Sequence, residues 1–183
     1  MGRIHGYCGP MFSGKSTLLI DQLRRAEIAG KRVICFKASL DNRYAADQVC
    51  THTRQTMEAR PTPPTTIGAA AIGRLSRGSD VVGVDEVQFF PTTIVDEFLE
   101  LRAMGKVVLW AGLDMDFLGL PFGPVPTLMA VGGVSKLFAV CHSCGDMQAT
   151  HTYRVDKSRS EQVLVAGLDG YQARCYACWA KNS

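Results

Sequence analysis

The sequence predicts an α/β fold, a parallel sheet flanked by helices, followed by a small metal-centred unit. Three observations carry that reading. Arg3–Cys8 is a short, mostly apolar run that leads into a glycine-containing turn; from Lys15 onward Leu18, Leu19, Leu23 and Ala26 recur at helical spacing until Gly30 stops them; and residues 33–36 make a second apolar run. Strand, helix and strand in that order describe parallel strands joined by a crossover helix.

The later elements follow in turn. Residues 39–66 show no convincing period and contain Pro61, Pro63 and Pro64, so they read as a long loop with at most one irregular helix. A short helix is expected near 68–76, a strand at 80–84, a helix near 92–104 ending at Gly105, and a strand at 107–111. Each strand is nearly continuous in apolar residues, as a sheet covered on both faces requires. Beyond Leu137 the texture changes to paired cysteines, an alternating segment at 150–154 and the run at 162–165, which suggest short antiparallel strands around a metal. We expect two units, residues 1–137 and 138–183, with no internal repeat.

Composition narrows function mainly by exclusion. In 183 residues, 46% hydrophobic and 20% charged, a packed core is expected and wholesale disorder is not. The 20 lysines and arginines against 17 acidic residues leave a net charge of +3, too small an excess to indicate a nucleic-acid or membrane partner. No stretch of about 18 apolar residues appears, and Gly2, Gly6 and Gly9 interrupt the N-terminus, so neither export nor a membrane span is expected. Seven cysteines, an odd number, point to a reducing cytoplasm and to thiols or metal ligands rather than to a disulfide frame.

Gly9, Pro10, Met11, Phe12, Ser13, Gly14, Lys15 and Ser16 fit the phosphate-loop pattern G-x-x-x-x-G-K-[ST] at the strand-to-helix junction that it needs. The glycines let backbone N–H groups and the helix N-terminus face phosphate oxygens, Lys15 places a positive charge on them, and Ser16 offers a hydroxyl to Mg²⁺. A second magnesium ligand is expected at the end of an apolar strand, where Asp85 stands. Glu86, one residue on, projects differently and is free to take a proton from the attacking nucleophile. That nucleophile could be water or the hydroxyl of a second substrate; the motif alone does not choose.

Cys141-x-x-Cys144 and Cys175-x-x-Cys178 form two knuckles separated by 30 residues. Four thiolates can close tetrahedrally on a structural Zn²⁺ and pin the ends of the intervening loop, with a pair of redox C-x-x-C motifs as the alternative. Cys8 and Cys35 lie on apolar strands and read as core thiols. Cys50 follows no ligand spacing, and the four histidines have no metal-like or triad-like spacing. Phe89, Phe90, Phe117 and Phe122 flank the candidate site and could either sandwich a flat base or fill the core.

These motifs, together with residues 41–44 (Asp-Asn-Arg-Tyr), Thr51-His52, residues 56–59 (Thr-Met-Glu-Ala), residues 84–90 (Val-Asp-Glu-Val-Gln-Phe-Phe), residues 112–117 (Gly-Leu-Asp-Met-Asp-Phe) and residues 120–122 (Leu-Pro-Phe), run collinearly along the chain. In this the sequence resembles the thymidine kinase family of the cytosolic, zinc-containing type. The resemblance implies a P-loop NTPase-like domain with a C-terminal zinc-binding domain carrying a lasso loop. It implies transfer of the ATP γ-phosphate to the 5′-hydroxyl of thymidine, with deoxyuridine as a second acceptor, to give dTMP for DNA precursor salvage. Glu86 would be the proton acceptor. Asp85, Val87, Gln88 and Arg43 would complete the ATP site with the phosphate loop. Met11, Leu113, Phe89, Phe117 and Phe122 would hold the base, under a lasso that contributes Thr152 and Tyr171. A homotetramer inhibited by dTTP is implied as well. The sequence departs from the family at Leu118, near Gln148 and at Ala166.

Overall fold

The computed structural model describes residues 1–39, 48–50, 56–155 and 170–181. Arg43 and the motif residues 41–44, 51 and 52 lie outside these, as do the run 162–165 and Ala166, expected in the lasso loop.

Six parallel strands, β1 (Arg3–Cys8), β2 (Val33–Ala38), β5 (Arg60–Thr62), β6 (Val81–Asp85), β7 (Val107–Gly112) and β8 (Gly133–Lys136), lie in the order β5-β2-β6-β7-β1-β8. Strands β3 (Gln48–Cys50) and β4 (Thr56–Glu58) form a separate antiparallel pair. Helix α1 (Lys15–Ile28) covers one face, where Leu19, Ile20 and Leu23 meet Tyr7, Cys35, Val81, Leu109 and Ala111. Helices α2 (Thr66–Leu75), α3 (Ile94–Ala103) and α4 (Val125–Val131) cover the other, burying Ile72, Phe98, Leu101 and Leu128 against Phe36, Val82, Val84, Val108 and Trp110. Burying each such large apolar side chain contributes about 1.5–3 kcal/mol. The core thiols expected at Cys8 and Cys35 are there: burial pushes them up to about 11 and about 12, which leaves them protonated and unreactive.

Local chemistry explains the element ends. Thr65 caps α2, its hydroxyl accepting from the Gly68 N–H at 3.1 Å. Gly6 pairs across the sheet with Trp110, and a Cβ there would fall 2.0 Å from the indole, so the bare backbone is what lets the largest core side chain lie flat.

The reading of 39–66 as a loop is corrected: besides β3 and β4, residues 60–62 form β5, and among the described residues of the segment no helix appears before α2 begins at Thr66. Pro61 is tolerated because β5 is an edge strand, with β2 as its one partner among the described residues. Helix α4 and strand β8 were not anticipated either. One is seven residues long with a proline in its first turn; the other is four residues of largely exposed edge. Among the described residues no helix is long and apolar enough to cross a membrane.

After β8 the chain leaves the sheet. Strands β9 (His151–Arg154) and β10 (Tyr171–Arg174) pair antiparallel, followed by α5 (Tyr176–Ala180). Ala139, Cys141, Ala149, Ala173 and Cys175 form a third, small core, against which Phe12 of the phosphate loop packs.

Candidate active site

The phosphate loop follows the end of β1, and Asp85 and Glu86 stand at the end of β6, the end at which open α/β sheets bind ligands. The phosphate loop leaves β1 with Gly9 at φ 140°, where a Cβ would sit 2.3 Å from the Leu137 carbonyl oxygen. Phe12 and Gly14 are also left-handed, at φ 65° and 82°. Within this curl the Pro10 carbonyl accepts from Ser13 Oγ at 2.8 Å and from Lys15 Nζ at 2.7 Å. Desolvation lowers the pKa of the Lys15 ammonium, while Glu86, Asp85 and Asp114 pull it back up. A lysine so placed is exchangeable between its own loop and an incoming anion. Helix α1 starts at Lys15, so its positive end points into the same curl.

Strand β7 separates β1 from β6, which sets the phosphate loop and Asp85 about 10 Å apart at the strand level. Helix α1 closes the gap, since Ser16 Oγ donates to Asp85 Oδ1 at 3.0 Å. Asp85 is buried, and desolvation, reinforced by the Glu86 charge, pushes it up to about 7 against the Ser16 and Glu86 N–H hydrogen bonds. A buried acid hydrogen-bonded to a phosphate-loop hydroxyl is a donor set suited to Mg²⁺.

Glu86 turns left-handed, at φ 55° and ψ 41°. Gln88, in the short 3₁₀ turn Val87–Phe89, holds it there. The buried Gln88 side chain accepts from the Leu113 N–H at 3.1 Å through Oε1, which leaves Nε2 to donate to Glu86 Oε2 at 2.5 Å. Val87 faces the core and leaves only its backbone to the site.

Among the residues expected to bind the base, Leu113 gives its backbone N–H to the Gln88 side chain that holds the Glu86 carboxylate. Phe89 and Phe122 meet edge to face at 5.6 Å. The Asp116 carboxylate shapes the loop carrying Phe117 by accepting from the Leu118 and Leu120 N–H groups at 2.9 and 3.0 Å. Thr152 is buried, and its hydroxyl accepts from the Met11 N–H at 3.0 Å, tying β9 to the phosphate loop. The guanidinium of Arg154, buried two residues further along the same face of β9, lies 3.8 Å from the centre of the Phe117 ring and donates to Tyr171 Oη at 3.3 Å. Trp179 of α5 stacks on His151 at 4.5 Å and donates from Nε1 to the Phe117 carbonyl at 3.2 Å.

Cys141, Cys144, Cys175 and Cys178 bring their sulfurs within 4.8 Å of one another, with Cys144 and Cys175 at 3.7 Å. Zn–S bonds of about 2.3 Å in a tetrahedron place sulfurs about 3.8 Å apart, so the donor set fits Zn²⁺. Although burial opposes it, N–H groups of Cys175, Cys144 and Ser143 bring Cys141 down to about 6, whereas the neighbouring thiols, Cys144 foremost, push Cys178 up to about 12. Four sulfurs this close ionise together only around a cation.

With the site assembled, its relatives can be compared. Residues 2–179 match the thymidine kinase family. The chain belongs to that family. The thymidine kinase of Bacteroides thetaiotaomicron is 40% identical over 181 residues, which are 98% of this chain and 88% of that protein. That of Rhodothermus sp. is 42% identical over 180 residues, 98% of this chain and 82% of that protein.

Within this family member, sequence reasoning missed Arg154 and Trp179. The signal for Arg154 was present: the period of two along residues 150–154 puts it on the same face as Thr152. Trp179 had none, because its partner lies 62 residues away. A separate cavity of about 610 Å³ lies at the opposite ends of the strands, lined by Arg3, Arg32, Asp80 and Lys106 among others. Arg32 there is paired with Asp80, and Lys106 Nζ donates to the Arg77 and Ser79 carbonyls, so two of its cations are already engaged.

Proposed function

We propose that the chain transfers the γ-phosphate of ATP to the 5′-hydroxyl of thymidine, giving dTMP and ADP, with Glu86 as proton acceptor. The observation that carries this is the Gln88 bridge. It holds the Glu86 carboxylate, the foremost charge acting on Lys15 of the phosphate loop, and this supports a reading in which a sugar hydroxyl, seated against an aromatic wall of Phe89, Phe117 and Phe122, meets the terminal phosphate beside it. The phosphate loop, residues 9–16, grips the triphosphate through backbone N–H groups and Lys15. The nucleoside lies against Met11, Leu113, Phe89, Phe117 and Phe122, with Thr152 and Tyr171 at its edge. Glu86 takes the 5′-hydroxyl proton as the oxygen bonds to the γ-phosphorus, and the bond from that phosphorus to the β-bridging oxygen breaks. Ser16 and Asp85 would hold Mg²⁺, which supplies charge neutralisation of the phosphates.

The remaining assignments rest on the same geometry. Inhibition by dTTP is supported by its carrying both groups the site is built for, a thymine for the wall and a triphosphate for the loop. Assembly into homotetramers is supported by the outer edge of β8, where Val134, Phe138 and Val140 are exposed beside the last strand of the sheet. Buried free thiols and a four-cysteine zinc site support a reducing cytoplasm. A division at residue 138 is supported by the separate core of the cysteine region.

A panel of nucleosides with ATP and Mg²⁺ tests the reading. Thymidine is phosphorylated and purine nucleosides are not; ADP released at the same rate without any nucleoside would make water the nucleophile and the chain an ATPase.

A further inference from the structure

Phe12 stands in the middle of the phosphate loop yet belongs, by packing, to the cysteine region. Its φ of 65° is the left-handed conformation that the curl of the loop demands at this point, and glycine adopts it at least cost. A bulky aromatic residue there is strained unless its side chain gains something in return. The ring lies against the small core built on Cys141, Cys175, Ala139, Ala149 and Ala173, with its centre 5.1 Å from that of His142. His142 sits between two of the four cysteines and is fixed in turn: its N–H donates to the Ala173 carbonyl at 2.9 Å, and its Nδ1 accepts from the Ala173 N–H at 3.2 Å. One residue before Phe12, the Met11 N–H is bonded to Thr152 of the same region.

We propose that Phe12 is a positioning residue through which the four-cysteine site and the phosphate loop stabilise each other, so that Zn²⁺ at the thiolates and nucleotide at the loop bind with positive linkage. The inference rests on reading the loop as the ATP site. The metal gathers the two knuckles into a core that receives the ring; the seated ring holds the loop in its left-handed turn; and a loop already curled binds phosphate without first being ordered. Linkage is reciprocal, so nucleotide in the loop makes the metal harder to lose.

The full chain is titrated to equilibrium with zinc against a colorimetric zinc chelator, with and without saturating ADP, and the metal held by the protein is read by absorbance. ADP binding is measured separately by calorimetry. ADP raises the zinc affinity of the wild-type protein by roughly five-fold or more, the lower end of ordinary coupling between sites. Phe12→Gly keeps the backbone conformation and deletes the ring; it still holds one zinc per chain, but ADP no longer raises its zinc affinity, and ADP binds it several-fold more weakly. Phe12→Tyr retains both effects. The wild-type comparison needs no variant to fold. ADP that binds but leaves zinc affinity unchanged overturns the linkage, and an equal rise in Phe12→Gly overturns the role of Phe12. ADP that fails to bind the loaded wild type at all overturns the phosphate-loop reading itself, and this inference with it.

Discussion

Glu86 occupies a backbone conformation that costs a non-glycine residue of the order of 1 kcal/mol, and it does so at the end of the most deeply buried strand of the sheet. The strain is held by Gln88, whose amide is oriented by the Leu113 N–H and therefore presents its donor end to the carboxylate. Two substitutions separate chemistry from placement. Glu86→Gln removes the proton acceptor and keeps the shape, so kcat falls about 10²–10⁴-fold while ADP and thymidine still bind, as calorimetry would show. Gln88→Leu leaves the acceptor but frees it to rotate. Losing a hydrogen bond to a charged group, worth about 1.5–3 kcal/mol, lowers kcat roughly 10- to 100-fold. Unchanged turnover in Gln88→Leu, with the wild-type melting temperature, would show that Glu86 needs no such brace.

At the scale of elements, β9 has the simplest logic. Its alternation buries Thr152 and Arg154 on one side, and these two side chains reach different parts of the site: the backbone of the phosphate loop and the ring of Phe117. Arg154 bridges Phe117 and Tyr171, so Arg154→Met should loosen the nucleoside wall alone. Thymidine KM rises about ten-fold, ADP affinity stays put, and Arg154→Lys recovers only part of the loss because lysine has charge without the planar fork. A matching fall in ADP affinity would mean that Arg154 serves the whole fold instead. The contrast with Phe117 and Lys15 shows what the sequence could reveal. Strands β1, β2, β6 and β7 are legible because both faces of a central strand must be apolar, and the phosphate loop is legible because its chemistry demands glycine and lysine at fixed spacing. β5 is hidden because its edge position tolerates the proline that reads as a breaker, and α4 and β8 are too short to show a period. The period of two sets Arg154 on the face of Thr152, but which rings Arg154 and Trp179 meet is decided by distant segments that no local pattern pairs.

Taken as one cooperative unit, the molecule carries charge where a core would be most stable without it. Lys15, Asp85 and Asp114 crowd the end of the sheet, and Asp114 is offset by Lys136 at 2.8 Å. Asp85, buried and next to Glu86, is the costly member. Its pKa in the folded chain, about 7, lies above the ordinary 3.8, so the unfolded chain gives up this proton first. As pH rises from about 4 to 7 the unfolded state is favoured progressively, and the full cost, of the order of a few kcal/mol, is present at higher pH. Asp85→Asn removes that cost and can still accept from Ser16. In the absence of Mg²⁺ and nucleotide, calorimetric scans should therefore show the variant melting roughly 4–10 °C above the wild type at pH 8, with the gap closing by pH 4.5. The same variant should lose at least 100-fold in phosphorylation, having lost a carboxylate ligand for the cation. A gap that is constant with pH, or a variant less stable at pH 8, would mean that Asp85 is ionised at no cost in the folded chain.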